Sequence, residues 1–163
     1  MAAASVWGTA KYIGLATGNA DLDRYAIRGN VLIYSTLYQL DPKVVMAIVY
    51  QESKGKPENY VGDETSSHGP SIGPMQVSRD TAKDLGLWAP DPSVDEREAY
   101  AAMSEDEAQG IKWGCAVLAN KLESASSMAD AVRAYNGSGT AAETYRAQVA
   151  LNLGSLYPGS VLA

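Results

Sequence analysis

The sequence predicts a single, mostly α-helical domain of six or seven helices. Apolar residues recur at three- and four-residue steps in most segments, and Ser, Thr or Asp caps precede several of them. No segment shows the strict alternation of a half-buried strand. At 163 residues the chain fits one domain, and folding at that size buries about two-thirds of the unfolded surface.

Residues 1–20 carry little periodicity and read as an irregular or short-helix lead-in to a domain spanning 21–163. From Asp21 to Leu40, Leu22, Tyr25, Ala26, Val31, Leu32, Leu37 and Leu40 follow helical spacing, with Gly29-Asn30 as a weak middle. Asp41-Pro42 starts the next helix: the carboxylate caps free amide hydrogens, and proline's φ suits the first helical position. Val44 to Val49 is apolar on nearly every face, so this helix is expected to be central and buried and to run out near Ser53 to Gly55, with Gly55 and Pro57 ending it. Glu52 therefore falls on the last turn of the most buried helix. Lys54 to Pro74, rich in Gly and Pro, reads as a long loop or short β-ribbon. Val77 to Leu87 reads as a helix opening at Ser78, followed by a Pro-containing turn over Trp88 to Ser93. Capping boxes at Ser104, Ser127 and Thr140 announce three more helices. The first places Ile111, Cys115, Leu118 and Leu122 on one face; the second ends at Asn136-Gly137; the third carries Tyr145, Val149 and Leu153.

Composition excludes several functions. A net charge of −6 argues against nucleic acid, whose affinity rests on clustered cations. The lone Cys115 forbids an intrachain disulfide and a multi-thiolate zinc site, and the lone His68 forbids a multi-histidine metal site, so neither metal nor cofactor is expected. No run approaches the length of a membrane span, and Met1 to Ser5 opens no secretory signal peptide.

Three features could carry chemistry. Glu52 lies between an apolar helix and a polar loop, where desolvation would hold it protonated near neutrality, as a general acid requires; the plainer reading is a solvated helix end. Gly73-Pro74-Met75-Gln76 sets a deformable thioether beside an amide with both donor and acceptor, or is simply a turn. Ala134-Tyr135-Asn136-Gly137 ends a helix, with Asn136 a possible left-handed cap and Tyr135 a possible core aromatic. Ten Tyr and three Trp with no Phe suit sugar stacking, with Tyr60, Trp113 and Tyr145 as cleft candidates, although most such residues pack in cores.

In order and spacing, Asp41-Pro42, Ala47-Ile48, Glu52-Ser53, Gly73-Pro74-Met75-Gln76, Thr81-Ala82, Gly114 with Leu118, and Ala134-Tyr135-Asn136-Gly137 closely resemble the soluble lytic transglycosylases and their relatives, the goose-type lysozymes. The similarity runs from Leu37 to Val149. It implies a lysozyme-like fold with a glycan cleft acting on the MurNAc–GlcNAc backbone of peptidoglycan. By the same resemblance Glu52 takes the place of the single catalytic acid/base and Tyr135 that of a tyrosine contacting it. Ser67, Met75, Gln76 and Asn136 take substrate-binding or cleft-lining places, while Ser53 is structural. Three positions depart from the family pattern: Pro74 replaces a usual leucine, Gly110 a common asparagine and Val117 a common tyrosine. The segment between Glu52 and Gln76 is also longer than in many relatives.

One carboxylate suffices for a lytic transglycosylase because the C6 hydroxyl of the same muramic acid replaces water as nucleophile, giving a 1,6-anhydro end. A muramidase would need a second acid, for which Asp63 or Glu64 are the candidates. A different class of reading is a non-catalytic peptidoglycan-binding or virion- or secretion-assembly module. The resemblance implies action at the bacterial cell wall; with no signal peptide seen at Met1 to Ser5, delivery by a phage, association with a virion or a removed leader is expected, and the chain is expected to be a monomer.

Overall fold

The computed structural model describes residues 14–56, 61–62 and 66–163. The described residues form seven α-helices and three two-residue strands. The mostly helical expectation, with six or seven helices, therefore stands.

The segment predicted as a helix with a weak middle begins as one π turn, Tyr25–Gly29, and continues as α1, Asn30–Leu37. A Cβ at position 29 would stand 2.8 Å from the ring of the exposed Tyr25, so a side chain there would have to displace that ring. Helix α2, Pro42–Ser53, starts where Asp41 accepts a hydrogen bond from the Lys43 amide at 2.9 Å. It ends at Ser53, within the expected stretch from Ser53 to Gly55. Lys54 itself takes the left-handed position, φ 58°, and its amide bonds the Tyr50 carbonyl.

The Gly/Pro-rich stretch forms a small antiparallel ribbon in the order β1 (Val61–Gly62), β2 (Ser71–Ile72), β3 (Val77–Ser78). Ile72 pairs with both Val61 and Val77. Ser78 ends β3 and caps α3, Arg79–Asp84, by accepting from the Thr81 amide at 3.3 Å. A helix not anticipated from the sequence, α4 (Glu96–Ala102), is capped by Asp95. Its Tyr100 is fully buried and stacks with Trp113, centroids 6.0 Å apart, in a second core under the ribbon.

Two capping boxes are placed differently. Ser104 lies buried in the 3₁₀ turn Met103–Glu105, and Asp106 caps α5 (Glu107–Ser124) by accepting from the Gln109 amide. A carboxylate accepts a helix amide more strongly than a hydroxyl does, and here it lies nearer the helix. Ser127 caps α6, Met128–Asn136, as read from the sequence. Helix α7 runs Gly139–Leu156, with Ser138 before it and Thr140 inside its first turn. The main core joins α1, α2, α5, α6 and α7, with Met46, Ile48, Ile111, Cys115, Leu118, Val149 and Leu153 buried. Among the described residues no helix is long and apolar enough to cross a membrane.

Candidate active site

Glu52 is the penultimate residue of α2, where the helix leaves the core and the left-handed Lys54 turns the chain away. Its neighbour Ser53 is buried and donates to the carbonyls of Val49 at 3.2 Å and Pro74 at 2.9 Å, tying the end of α2 to the turn before β3. That turn is left-handed twice, at Gly73 (φ 75°) and Gln76 (φ 48°). The Gln76 amide and its side-chain Nε2 both donate to the Gly73 carbonyl, at 3.0 and 2.9 Å, which offsets the strain of a non-glycine residue in this conformation.

Helix α5 lets the turn come close. A Cβ at Gly110 would stand 2.9 Å from Gly73 Cα and from Pro74 Cδ; one at Gly114 would stand 2.5 Å from Met75 Cβ. The departures at Pro74 and Gly110 thus meet in space: the glycine leaves room for the proline ring.

Met75 is fully buried, and its carbonyl accepts the Tyr135 hydroxyl at 2.8 Å. The Tyr135 ring stacks on Tyr145 with centroids 6.5 Å apart and planes 15° from parallel. The Tyr145 hydroxyl donates to Glu52 Oε1 at 2.6 Å. Behind this pair, Gln148 Nε2 donates to Asn152 Oδ1 at 3.3 Å, and Asn152 Nδ2 to Gln51 Oε1 at 2.9 Å, pinning α7 to α2 beside the carboxylate.

Burial pushes the Glu52 carboxyl up from 4.5 to about 7, against the opposing pull of the Tyr145 hydrogen bond and the Lys54 charge. Burial, reinforced by the nearby Glu52 charge, holds Tyr135 and Tyr145 well above the usual phenol range, so both remain hydrogen-bond donors. A carboxyl that titrates near neutrality can release and recover a proton under working conditions.

Glu52 opens onto a pocket of about 590 Å³ whose wall includes Gln76, Val117, Tyr135 and Asn136. A family model described as Transglycosylase SLT domain matches residues 30–152. The chain belongs to the SLT transglycosylase domain family. Over 132 residues it is 30% identical to a protein named "Transglycosylase" from Enterobacteria phage PRD1. That similarity covers 77% of this chain and 42% of the phage protein, so this chain spans less than half the length of that relative. No solved structure matches the chain.

In this SLT domain Glu52, Gln76, Tyr135 and Asn136 share one pocket. Met75 stands behind the wall and supplies the carbonyl that holds Tyr135. Ser67 is exposed, while its neighbours Ser66 and His68 line the pocket. Asp63, Glu64 and Tyr60 lie outside the described residues. Trp113 belongs to the second core. The phenol on Glu52 is that of Tyr145, with Tyr135 one ring further away. Helical spacing put Tyr145 on the buried face of α7; only the packing of α7 on α2 brings it to the carboxylate. Among the described residues no group of His, Cys, Asp and Glu is arranged to hold a metal ion.

Proposed function

We propose that this SLT domain is a peptidoglycan lytic transglycosylase that cleaves the β-1,4 bond between MurNAc and GlcNAc, with Glu52 as general acid and then general base. The observation that carries the reading is Glu52 itself: half-buried on the pocket wall, hydrogen-bonded by Tyr145 and titrating at about 7. Protonated Glu52 donates to the glycosidic oxygen as the C1–O bond breaks. The muramic acid C6 hydroxyl then bonds C1 and gives its proton to the Glu52 carboxylate, closing a 1,6-anhydro ring and restoring the acid. Proton count balances over the cycle and no water enters.

Tyr145 steadies the ionised stage by donating to Oε1. Tyr135, Gln76 and Asn136 offer a ring edge and amides to sugar hydroxyls and N-acetyl groups from the same wall. Family membership and the phage relative support this reaction class, and the substrate places the action at the bacterial cell wall.

The test is mass spectrometry of muropeptides released from purified walls. The expected products end in anhydromuramic acid, one water lighter than reducing-end products, and Glu52→Gln releases almost none while remaining folded. Reducing ends would replace transglycosylation by hydrolysis. Pelleting with walls by both proteins, without release from either, would identify a non-catalytic wall-binding module.

A further inference from the structure

Two walls of the pocket carry charges that the proton-transfer chemistry does not use. Helix α3 presents Asp80 and Asp84, one turn apart, and α5 presents Val117 and Lys121, also one turn apart. Asp80 is already engaged: the Arg79 guanidinium donates to its Oδ1 at 2.9 and 3.0 Å, and His68 Nδ1 lies 3.7 Å from Oδ2. Asp84 and Lys121 differ from it. Among the described residues neither side chain takes part in an ion pair or hydrogen bond, although both line the same pocket. Opposite charges that face one pocket without neutralising each other complement a ligand that carries both signs.

The sugar backbone offers nothing of that kind. Its hydroxyls and N-acetyl groups are neutral, and the muramic lactyl carboxyl is consumed in the amide that begins the stem peptide. The stem does carry both signs, as free carboxylates and the side-chain amine of its diamino acid.

We propose that Asp84 and Lys121 are specificity-determining residues that bind the stem peptide of a muramic acid, Asp84 taking the diamino-acid ammonium and Lys121 a stem carboxylate. This rests on the peptidoglycan reading above. Asp84 is exposed, so each contact is of the solvent-screened kind and shifts discrimination rather than creating it.

The experiment compares kcat/KM of the wild type, Asp84→Asn, Lys121→Met and the double variant on three substrates. These are stem-bearing glycan strands, the same strands with stem amines acetylated, and fully N-acetylated strands stripped of stems by an amidase. The measured quantity is the preference for stem-bearing over stripped strands. Each single variant is expected to lower it by about threefold and the double by about tenfold. Acetylation is expected to lower the wild-type value and to abolish the effect of Asp84→Asn, while leaving that of Lys121→Met.

An unchanged preference in both single variants overturns the inference. So does an equal loss on stripped strands, which would mean that the residues serve the sugars or the fold. If Asp84→Asn acts only on strands carrying de-N-acetylated glucosamine, the amine is that of the sugar and the stem assignment falls. Failure of the wild type to cleave any of the three substrates overturns the proposed function itself, and this inference with it.

Discussion

Replacing Tyr145 by Phe deletes one oxygen and with it the 2.6 Å hydrogen bond to Glu52 Oε1, while the ring that stacks on Tyr135 remains. A hydrogen bond to a charged, half-buried carboxylate is worth about 1.5–3 kcal/mol, which corresponds to about one to two pH units. The bond favours the ionised form, so its loss moves Glu52 upward from about 7. The folded value already lies above the ordinary carboxyl value of 4.5. Stability from this group is therefore complete below about pH 4.5 and declines as pH rises through the folded value. In the wild type that decline ends near neutrality; in Tyr145→Phe it continues to higher pH and goes deeper. The stability difference between the two proteins, measured by denaturant titration at a series of pH values, should thus be small at pH 4. It should grow by about 1.5–3 kcal/mol on reaching pH 9. The pH–rate profile for release from walls should extend its alkaline limb upward while its maximum falls. A stability difference that stays constant from pH 4 to 9 would refute the coupling between this phenol and the carboxylate.

Glu52→Gln keeps the acceptor for Tyr145 but removes the buried charge, so at pH 9 it should be more stable than the wild type by about 3 kcal/mol. At pH 4 it should match the wild type, a contrast readable by calorimetry at the two pH values. Gly114→Ala places a methyl group 2.5 Å from Met75 Cβ and should cost about 1–3 kcal/mol in urea unfolding. By displacing the Met75 carbonyl from Tyr135 it should also lower activity; unchanged stability would show that the α5 groove has slack. Asp41→Ala removes the cap of the helix that carries Glu52 and should cost about 1 kcal/mol without moving the pH–rate profile.

The features legible in the sequence are those decided within a few residues. Asp41-Pro42 and Ser127 announce their helices because a cap needs only its own side chain and the amides just after it. Glu52, Gln76 and Tyr135 could be marked because their motifs occur in order along the chain, and the fold brings them to one pocket. The boxes at Ser104 and Thr140 were ambiguous locally, since Asp106 competes for the first amides and Ser138-Gly139 starts the last helix early. Helix α4 gave little signal because it is short and buries a single large side chain, Tyr100, against Trp113 and Trp88.

The sequence alone determined a helical domain with one acid at the end of its most apolar helix, since periodicity and capping are properties of neighbouring residues. Tertiary structure decided what surrounds that acid. It set Tyr145, 93 positions away, on the carboxylate, and Tyr135 on the Met75 carbonyl. It also made Gly110 and Gly114 the groove for Gly73 to Met75. The distinction is physical: burial and hydrogen-bond partners depend on which helices meet, and contacts between residues so far apart exist only once the chain has packed.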